Sequence, residues 1–198
     1  MRTWIIRICA VLAFAATVVA VFLVSDHFAQ KWETALVRDI SLNGPDGNAW
    51  HIDDLGGKMG IIYFGYTYCP DVCPTALNTL AIALDDMGAA RETFQPVFVS
   101  VDPDRDSPAL IRDYVAQFDD AILGLTGPPA QIAEFARAFG ATYVIRKKEG
   151  DTSDDYIVDH TANFFLATAN GTRVPLPYTY DPDELRTNLL NAPTRLGR

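Results

Sequence analysis

Cysteine and histidine are scarce in this chain, with three of each in 198 residues. That is too few for the disulfide framework of a small secreted domain, so any role for these side chains is local chemistry. Positive charge is also short: 16 Lys and Arg stand against 25 Asp and Glu, a net charge of −9. Such a balance repels phosphate backbones and excludes nucleic acid as a partner. There is no internal repeat and no low-complexity block. A charged fraction of 21% beside a hydrophobic fraction of 49% excludes disorder, collagen and a multi-span membrane protein. A chain of this length suits one domain with a short appendage.

One long apolar run is present. Ile8 to Val24 carries no charge, and Trp4, Ile5 and Ile6 extend it across Arg7. As a helix at about 1.5 Å per residue, residues 4–24 are roughly 30 Å long, close to the hydrocarbon thickness of a bilayer. Arg2 and Arg7 precede the run while Asp26 and Glu33 follow it, which keeps the N-terminus in the cytoplasm and exports the rest. A cleavable signal peptide is the competing reading. The length of the run and the lack of an A-x-A site before Asp26 favour an uncleaved anchor. The expected organisation is an anchor at 1–25, a tether at 26–39 and a folded domain at 40–198, facing the periplasm from a bacterial inner membrane. With Arg2 and Arg7 assigned to the anchor, 14 basic residues face 25 acidic ones beyond Val24, which suits a basic docking partner.

The segment Asn43-Gly44-Pro45-Asp46-Gly47-Asn48 is dense turn chemistry between apolar flanks and predicts a β-hairpin over Ser41 to Asp53. Strands are expected at Ile61 to Phe64, Pro96 to Val101, Ala141 to Ile145 and Asn163 to Thr168. Helical spacing or an opening proline places helices at Pro74 to Met87, Pro108 to Phe118, Pro129 to Phe139 and Pro182 to Leu190. Alternating strands and helices after a hairpin predict an α/β domain of the thioredoxin-like kind, with a parallel β-α-β start and helices on both sheet faces.

Between the first core strand and its helix lies Gly65-Tyr66-Thr67-Tyr68-Cys69-Pro70-Asp71-Val72-Cys73-Pro74. Pro74 biases Cys73 toward an extended backbone, so the motif reads as a loop over a helix N-terminus. The amides and dipole there favour thiolate, the species that binds metals and attacks disulfides. Two converging thiolates suit Cu(I) and can also close into a disulfide. The C-x3-C spacing opens a wider mouth than C-x-x-C. An inert structural disulfide is the bland reading. Cys9 sits in the apolar run as a small apolar residue, His27 in the tether and His51 in the hairpin. His160, just before a strand and beside Asp159, is the leading third ligand. The loop Val101 to Pro108 follows the second strand on the same sheet edge as Cys69 and reads as structural, with Pro103 in a turn and Ser107 as an N-cap; partner recognition is the alternative.

Three ordered motifs, YFGYTYCPDVCP (Tyr63–Pro74), VSVDPDRDSP (Val99–Pro108) and DHTANFFL (Asp159–Leu166), give the chain a resemblance to the Sco/SenC family over about Ile40 to Leu190. The resemblance implies a membrane-tethered copper protein whose ligands are Cys69, Cys73 and His160, with one Cu(I) or Cu(II) per chain. It also implies delivery of copper to, or thiol reduction of, the binuclear CuA centre of cytochrome c oxidase subunit II, with a periplasmic protein as copper donor. Two departures occur: Tyr68 stands where many members have His, and Ala169-Asn170-Gly171 lacks an Asp often found there. The rival reading is an exported thiol-disulfide reductase in which Cys69 and Cys73 attack and resolve in one order or the other. Such an enzyme has no evident need for His160. A thioredoxin-fold peroxidase has nothing beyond the fold in its favour.

Overall fold

The computed structural model describes residues 16–22, 37–147 and 156–195. The chain divides into two compact units, Met1–Leu36 and Val37–Arg198. In the first, residues 16–22 are helical. Among the described residues no helix is long and apolar enough to cross a membrane. Apart from 16–22, the anchor expected over residues 4–24 lies outside the described residues, as do Cys9 and His27. Of the tether expected at 26–39, residues 37–39 are described: they are helical, and Val37 is fully buried in the second unit.

The second unit opens with the expected hairpin, β1 (Leu42–Asn43) against β2 (Ala49–Trp50). Its turn is closed by the Gly44 amide donating to the Asn48 carbonyl, and it uses Gly47 at φ +74°, a conformation open to glycine without a Cβ penalty. Paired amides and carbonyls of Asn43 and Thr126 tie the hairpin to the main body.

Three strands run parallel, β3 (Met59–Gly65), β4 (Phe94–Ser100) and β5 (Leu123–Leu125), and two join antiparallel, β8 (Phe164–Ala167) and β9 (Arg173–Pro175). The sheet order is β5-β4-β3-β8-β9. A separate antiparallel ribbon is formed by β6 (Tyr143–Arg146) and β7 (Ile157–His160). The helices are α1 (Val72–Asp85), α2 (Pro108–Val115), α3 (Pro129–Phe139), α4 (Pro182–Leu190) and the short α5 (Ala192–Arg195). The strand expected at Ala141 to Ile145 exists as β6, but it belongs to the ribbon and not to the core sheet, because its residues are mostly exposed.

Every residue of β3 is buried, so both faces of the central strand are covered. Consecutive side chains point to opposite faces. Phe64 meets Phe135 and Phe139 of α3 and Phe165 of β8 at ring separations of 6.0, 5.7 and 5.8 Å. On the other face Tyr63 meets Phe98 and Phe164 at 6.4 and 5.0 Å. This second face leads to the cysteines.

Candidate metal centre

The cysteine loop leaves β3 at Gly65, where a Cβ would stand 2.8 Å from Cys73 Sγ and 2.8 Å from Phe98 Cε2. A side chain here would displace the sulfur, so the strand ends in glycine for room. The chain then turns, with the Cys69 amide donating to the Tyr66 carbonyl at 3.3 Å, and enters α1 at Val72. Cys73 therefore sits in the first helical turn and not on the extended segment that Pro74 predicts. Pro74 occupies the third helical position, where a missing N–H leaves no carbonyl unpaired. Asp71 precedes the helix without a capping side-chain bond. Cys69 Sγ takes up that role in part, accepting from the Cys73 amide at 3.4 Å.

His160 closes β7, paired across the ribbon with Tyr143. Its Nε2 lies 3.3 Å from Cys73 Sγ, and the ligand atoms of Cys69, Cys73 and His160 all fall within 4.8 Å of one another. Among the described residues this is the one cluster of His, Cys, Asp and Glu side chains placed to hold a metal ion. His160 Nδ1 lies 3.1 Å from the Thr161 carbonyl. A carbonyl only accepts, so Nδ1 carries the proton and the Nε2 lone pair faces the sulfurs, as a ligand requires. Asp159, read from the sequence as the support for His160, points to the other side of the ribbon and pairs with Arg146 at 2.7 Å. Adjacent strand residues face opposite ways, which is why the backbone carbonyl and not the neighbouring carboxylate orients the imidazole.

Both cysteines are free thiols, Cys73 buried and Cys69 half-buried. The Cys73 thiol donates toward Cys69, and that bond, with the backbone amides of Asp71 and Cys73 and against burial, holds the Cys69 thiol far below its ordinary pKa. The same bond, with burial, pushes Cys73 up. The pair thus keeps one proton on Cys73 and leaves Cys69 as a thiolate. Two sulfurs and an imidazole nitrogen form a soft donor set suited to Cu(I), with the nitrogen extending it toward Cu(II).

The loop between β4 and α2 is structural as expected, and it reaches further into the site than its sequence indicates. Buried Asp106 accepts from the Thr67 amide at 2.9 Å, the Thr67 hydroxyl at 2.5 Å and the Ser100 hydroxyl at 2.6 Å. Buried Asp102 pairs with Arg105 at 2.5 Å and accepts from the Tyr156 hydroxyl at 2.5 Å. Arg105 lies 3.5 Å from the Tyr156 ring centre and 4.9 Å from that of Tyr68, and donates to the Tyr156 carbonyl. The loop therefore clamps the cysteine segment to the residue that leads into the His160 strand. Sequence reasoning passed over Arg105, Asp102 and Asp106 because Pro103 as a turn and Ser107 as an N-cap accounted for the loop locally. It passed over Tyr63 as a strand residue and Tyr66 as part of the cysteine loop, although both rings stand edge-on to His160 at 6.0 and 5.9 Å.

The SCO1/SenC family model matches residues 29–192. A SCO2-like protein of Rickettsia felis is 35% identical over 134 residues, 67% of this chain and 64% of that protein. The mitochondrial SCO1 homolog 1 of Arabidopsis thaliana is 38% identical over 135 residues, 68% of this chain and 40% of that protein. The chain thus aligns with less than two thirds of the length of these relatives. Among solved structures, Bradyrhizobium japonicum ScoI with copper bound is 35% identical, with 77% of this chain and 96% of that one covered and a TM-score of 0.68. Yeast Sco1 with copper bound is 32% identical, with 77% and 84% covered and a TM-score of 0.70. The shared architecture is the thioredoxin-like fold. On the extent of the family match, supported by these identities, the chain belongs to the SCO1/SenC family.

Proposed function

We propose that this protein binds one copper ion through Cys69, Cys73 and His160 and serves the assembly of cytochrome c oxidase, delivering copper to the CuA centre of subunit II. The observation that carries this reading is the convergence of three soft ligand atoms within 4.8 Å from a loop, a helix and a ribbon, with the imidazole lone pair turned inward. It is supported by the copper-bound Sco relatives and by the standing of the Sco family as cytochrome c oxidase assembly proteins. Copper is cargo in this reading: Cys69 and Cys73 hold it as Cu(I), and His160 adds the nitrogen that Cu(II) prefers. Residues 4–24 anchor the chain, and the folded unit works in the periplasm, loaded there by a copper donor.

Titration of the reduced protein with copper tests this. One equivalent per chain is expected, with sulfur and imidazole ligation in the absorption and paramagnetic resonance spectra. Cys69→Ser should abolish tight binding, and His160→Ala should weaken Cu(II) far more than Cu(I). Wild-type stoichiometry and affinity in Cys69→Ser would overturn the assignment.

A second reading, reduction of the CuA thiols, is favoured by the division of labour between the cysteines: the more exposed Cys69 is the thiolate and buried Cys73 keeps the proton. A reductase would then attack with Cys69 and resolve with Cys73. Alkylation separates the two. Bound copper should protect both thiols, whereas equal modification of the metal-free and copper-treated protein would leave the reductase as the better account.

A further inference from the structure

Among the described residues of the second unit the exposed aromatic side chains are Tyr68, Tyr178 and Tyr180, at 60, 49 and 42%, and all belong to the surround of Cys69. Tyr68 adjoins Cys69 in the loop, its ring 4.9 Å from the Arg105 guanidinium. Tyr178 and Tyr180 lie between β9 and α4, their rings edge-on at 4.9 Å. That connection is pinned on this side of the sheet: the Leu176 amide donates to the Phe164 carbonyl at 2.8 Å, and the Thr79 hydroxyl of α1 to the Tyr180 carbonyl at 3.4 Å. The hydrogen bond with Tyr178, then burial, pushes the Tyr180 phenol up to about 12, and the charges of Tyr178, Asp71 and Cys69 add to the rise. Tyr180 is therefore within electrostatic reach of both Asp71 and Cys69. Rings left in water contribute nothing to folding. Gathered at one place on a braced segment, they match the centre of a protein interface, where tyrosine is enriched and little freedom is left to lose on docking. Charge selects what covers them. Residues 67–72 and 177–185 contain Asp71, Asp181, Asp183 and Glu184 and no Lys or Arg. Asp71 is exposed, while Arg105 beside Tyr68 is paired with Asp102 at 2.5 Å.

We propose that Tyr68, Tyr178, Tyr180 and Asp71 form the docking face for a partner protein that carries Lys or Arg around its own thiols, with the cations over the phenol rings and against the Asp71 carboxylate. The inference rests on the proposed function in one respect: copper transfer and thiol exchange both bring a partner's sulfur to Cys69, and a protein that reaches Cys69 covers its chain neighbours Tyr68 and Asp71. A partner with an acidic surround is repelled by the same face.

The test uses the whole chain, reduced and metal-free, with two synthetic peptides of equal length. One has Lys and Arg and the other Asp and Glu around a single cysteine, which is capped as a mixed disulfide with nitrothiobenzoate. The Cys69 thiolate attacks the peptide sulfur, and the nitrothiobenzoate thiolate leaves with the electron pair and is read by its colour. The Cys73 sulfur then attacks that of Cys69, passing its proton to the departing peptide thiolate as the Cys69–Cys73 disulfide closes. Each rate is divided by that of the same peptide with mercaptoethanol, and the basic-to-acidic ratio cancels the reactivity of Cys69 itself. The basic peptide should react about tenfold faster at low salt and lose its advantage at about 1 M salt. Asp71→Asn should lower the ratio about threefold. Asp85→Asn removes an equal charge at the far end of α1, about 18 Å along the helix from Cys73 and beyond screening distance, and should leave the ratio unchanged. Tyr178→Ala combined with Tyr180→Ala should slow the basic peptide about fivefold, and Phe at both positions should restore it, since the ring face receives the cation. A ratio near unity in wild type, equal effects of Asp85→Asn and Asp71→Asn, or a wild-type rate in the Ala pair would each overturn the proposal. Copper stoichiometry on the same samples judges the function separately. A preference carried by these residues in a protein that binds no copper keeps the docking face and removes the copper reading. A protein that binds one copper and shows no preference does the reverse.

Discussion

Tyr63 and Phe64 are neighbours on one strand, and the two faces they serve are built for different ends. On the Phe64 side Phe135, Phe139 and Phe165 close a wholly apolar cluster, with Trp50 of the hairpin edge-on to Phe135 at 6.2 Å. On the Tyr63 side the rings give way to a sulfur, an imidazole and phenols without oxygen or nitrogen partners. The first face contributes burial, the main favourable contribution to folding. The second gives up part of that contribution to keep polar groups near a reactive pair. A single β3 residue step thus separates the stabilising half of the core from the half that carries chemistry.

The largest effect expected from separating the two faces is on stability. Phe135 is fully buried among the phenylalanines, and Phe135→Ala should cost ~3–5 kcal/mol in denaturant unfolding. If the faces are independent, the protein that remains folded keeps one copper per chain. Loss of copper stoichiometry under native conditions would show that the site depends on the opposite face. Arg105→Ala is next, at about 3 kcal/mol, because it leaves the buried Asp102 carboxylate without its cation. The lower end of the range is expected because the Tyr156 hydroxyl still bonds Asp102. Unlike Phe135→Ala, this change unties the cysteine loop from the ribbon, so copper should also bind more weakly. Wild-type copper affinity in Arg105→Ala would restrict the clamp to a purely structural part.

The two faces were not equally legible in the sequence. Helices α3 and α4 stand at their expected bounds, Pro129–Phe139 and Pro182–Leu190, because proline at the start and apolar spacing are local signals. The convergence of Cys69, Cys73 and His160 was reached from the same kind of signal, two thiols at a strand-helix turn and one well-placed imidazole. Strands β5, β7 and β9 have three or four residues each and contain Gly124, Asp159 and Pro175, residue types depleted in strands, so the partner of β6 in the ribbon carrying His160 was unseen. The supports of the site were hidden for another reason. Asp106 reaches Thr67 across 39 residues and Arg105 reaches Tyr156 across 51, and a residue that already satisfies a turn gives no local sign of a second, distant partner. Tyr63 reads as a strand residue in any sequence; its unpaired hydroxyl exists only in the packed protein.

The smallest expected effect depends on pH and marks the same division, since the rings of the Phe64 cluster cannot titrate. Burial raises the Asp106 carboxyl above its ordinary value, against hydrogen bonds from Ser100 and Thr67 that favour the charged form and with the nearby Asp102 charge adding to the rise. The folded protein therefore keeps this proton to higher pH than the unfolded chain, whose carboxyl titrates at about 3.9. The native state binds more protons between that value and the raised one, so the stability linked to Asp106 is full below the unfolded value and declines as pH rises through the folded one. Asn at this position cannot titrate but retains an oxygen for the Thr67 amide and the Ser100 hydroxyl. Urea midpoints of wild type and Asp106→Asn, followed upward from pH 4, should move apart in favour of Asn as the wild-type carboxyl ionises, whereas the deficit of Phe135→Ala should not change over the same range. A difference between Asp106→Asn and wild type that stays flat, or turns toward wild type with rising pH, would mean that the bonds from Thr67 and Ser100 outweigh burial and that the carboxylate is the favoured form beneath the cysteine loop.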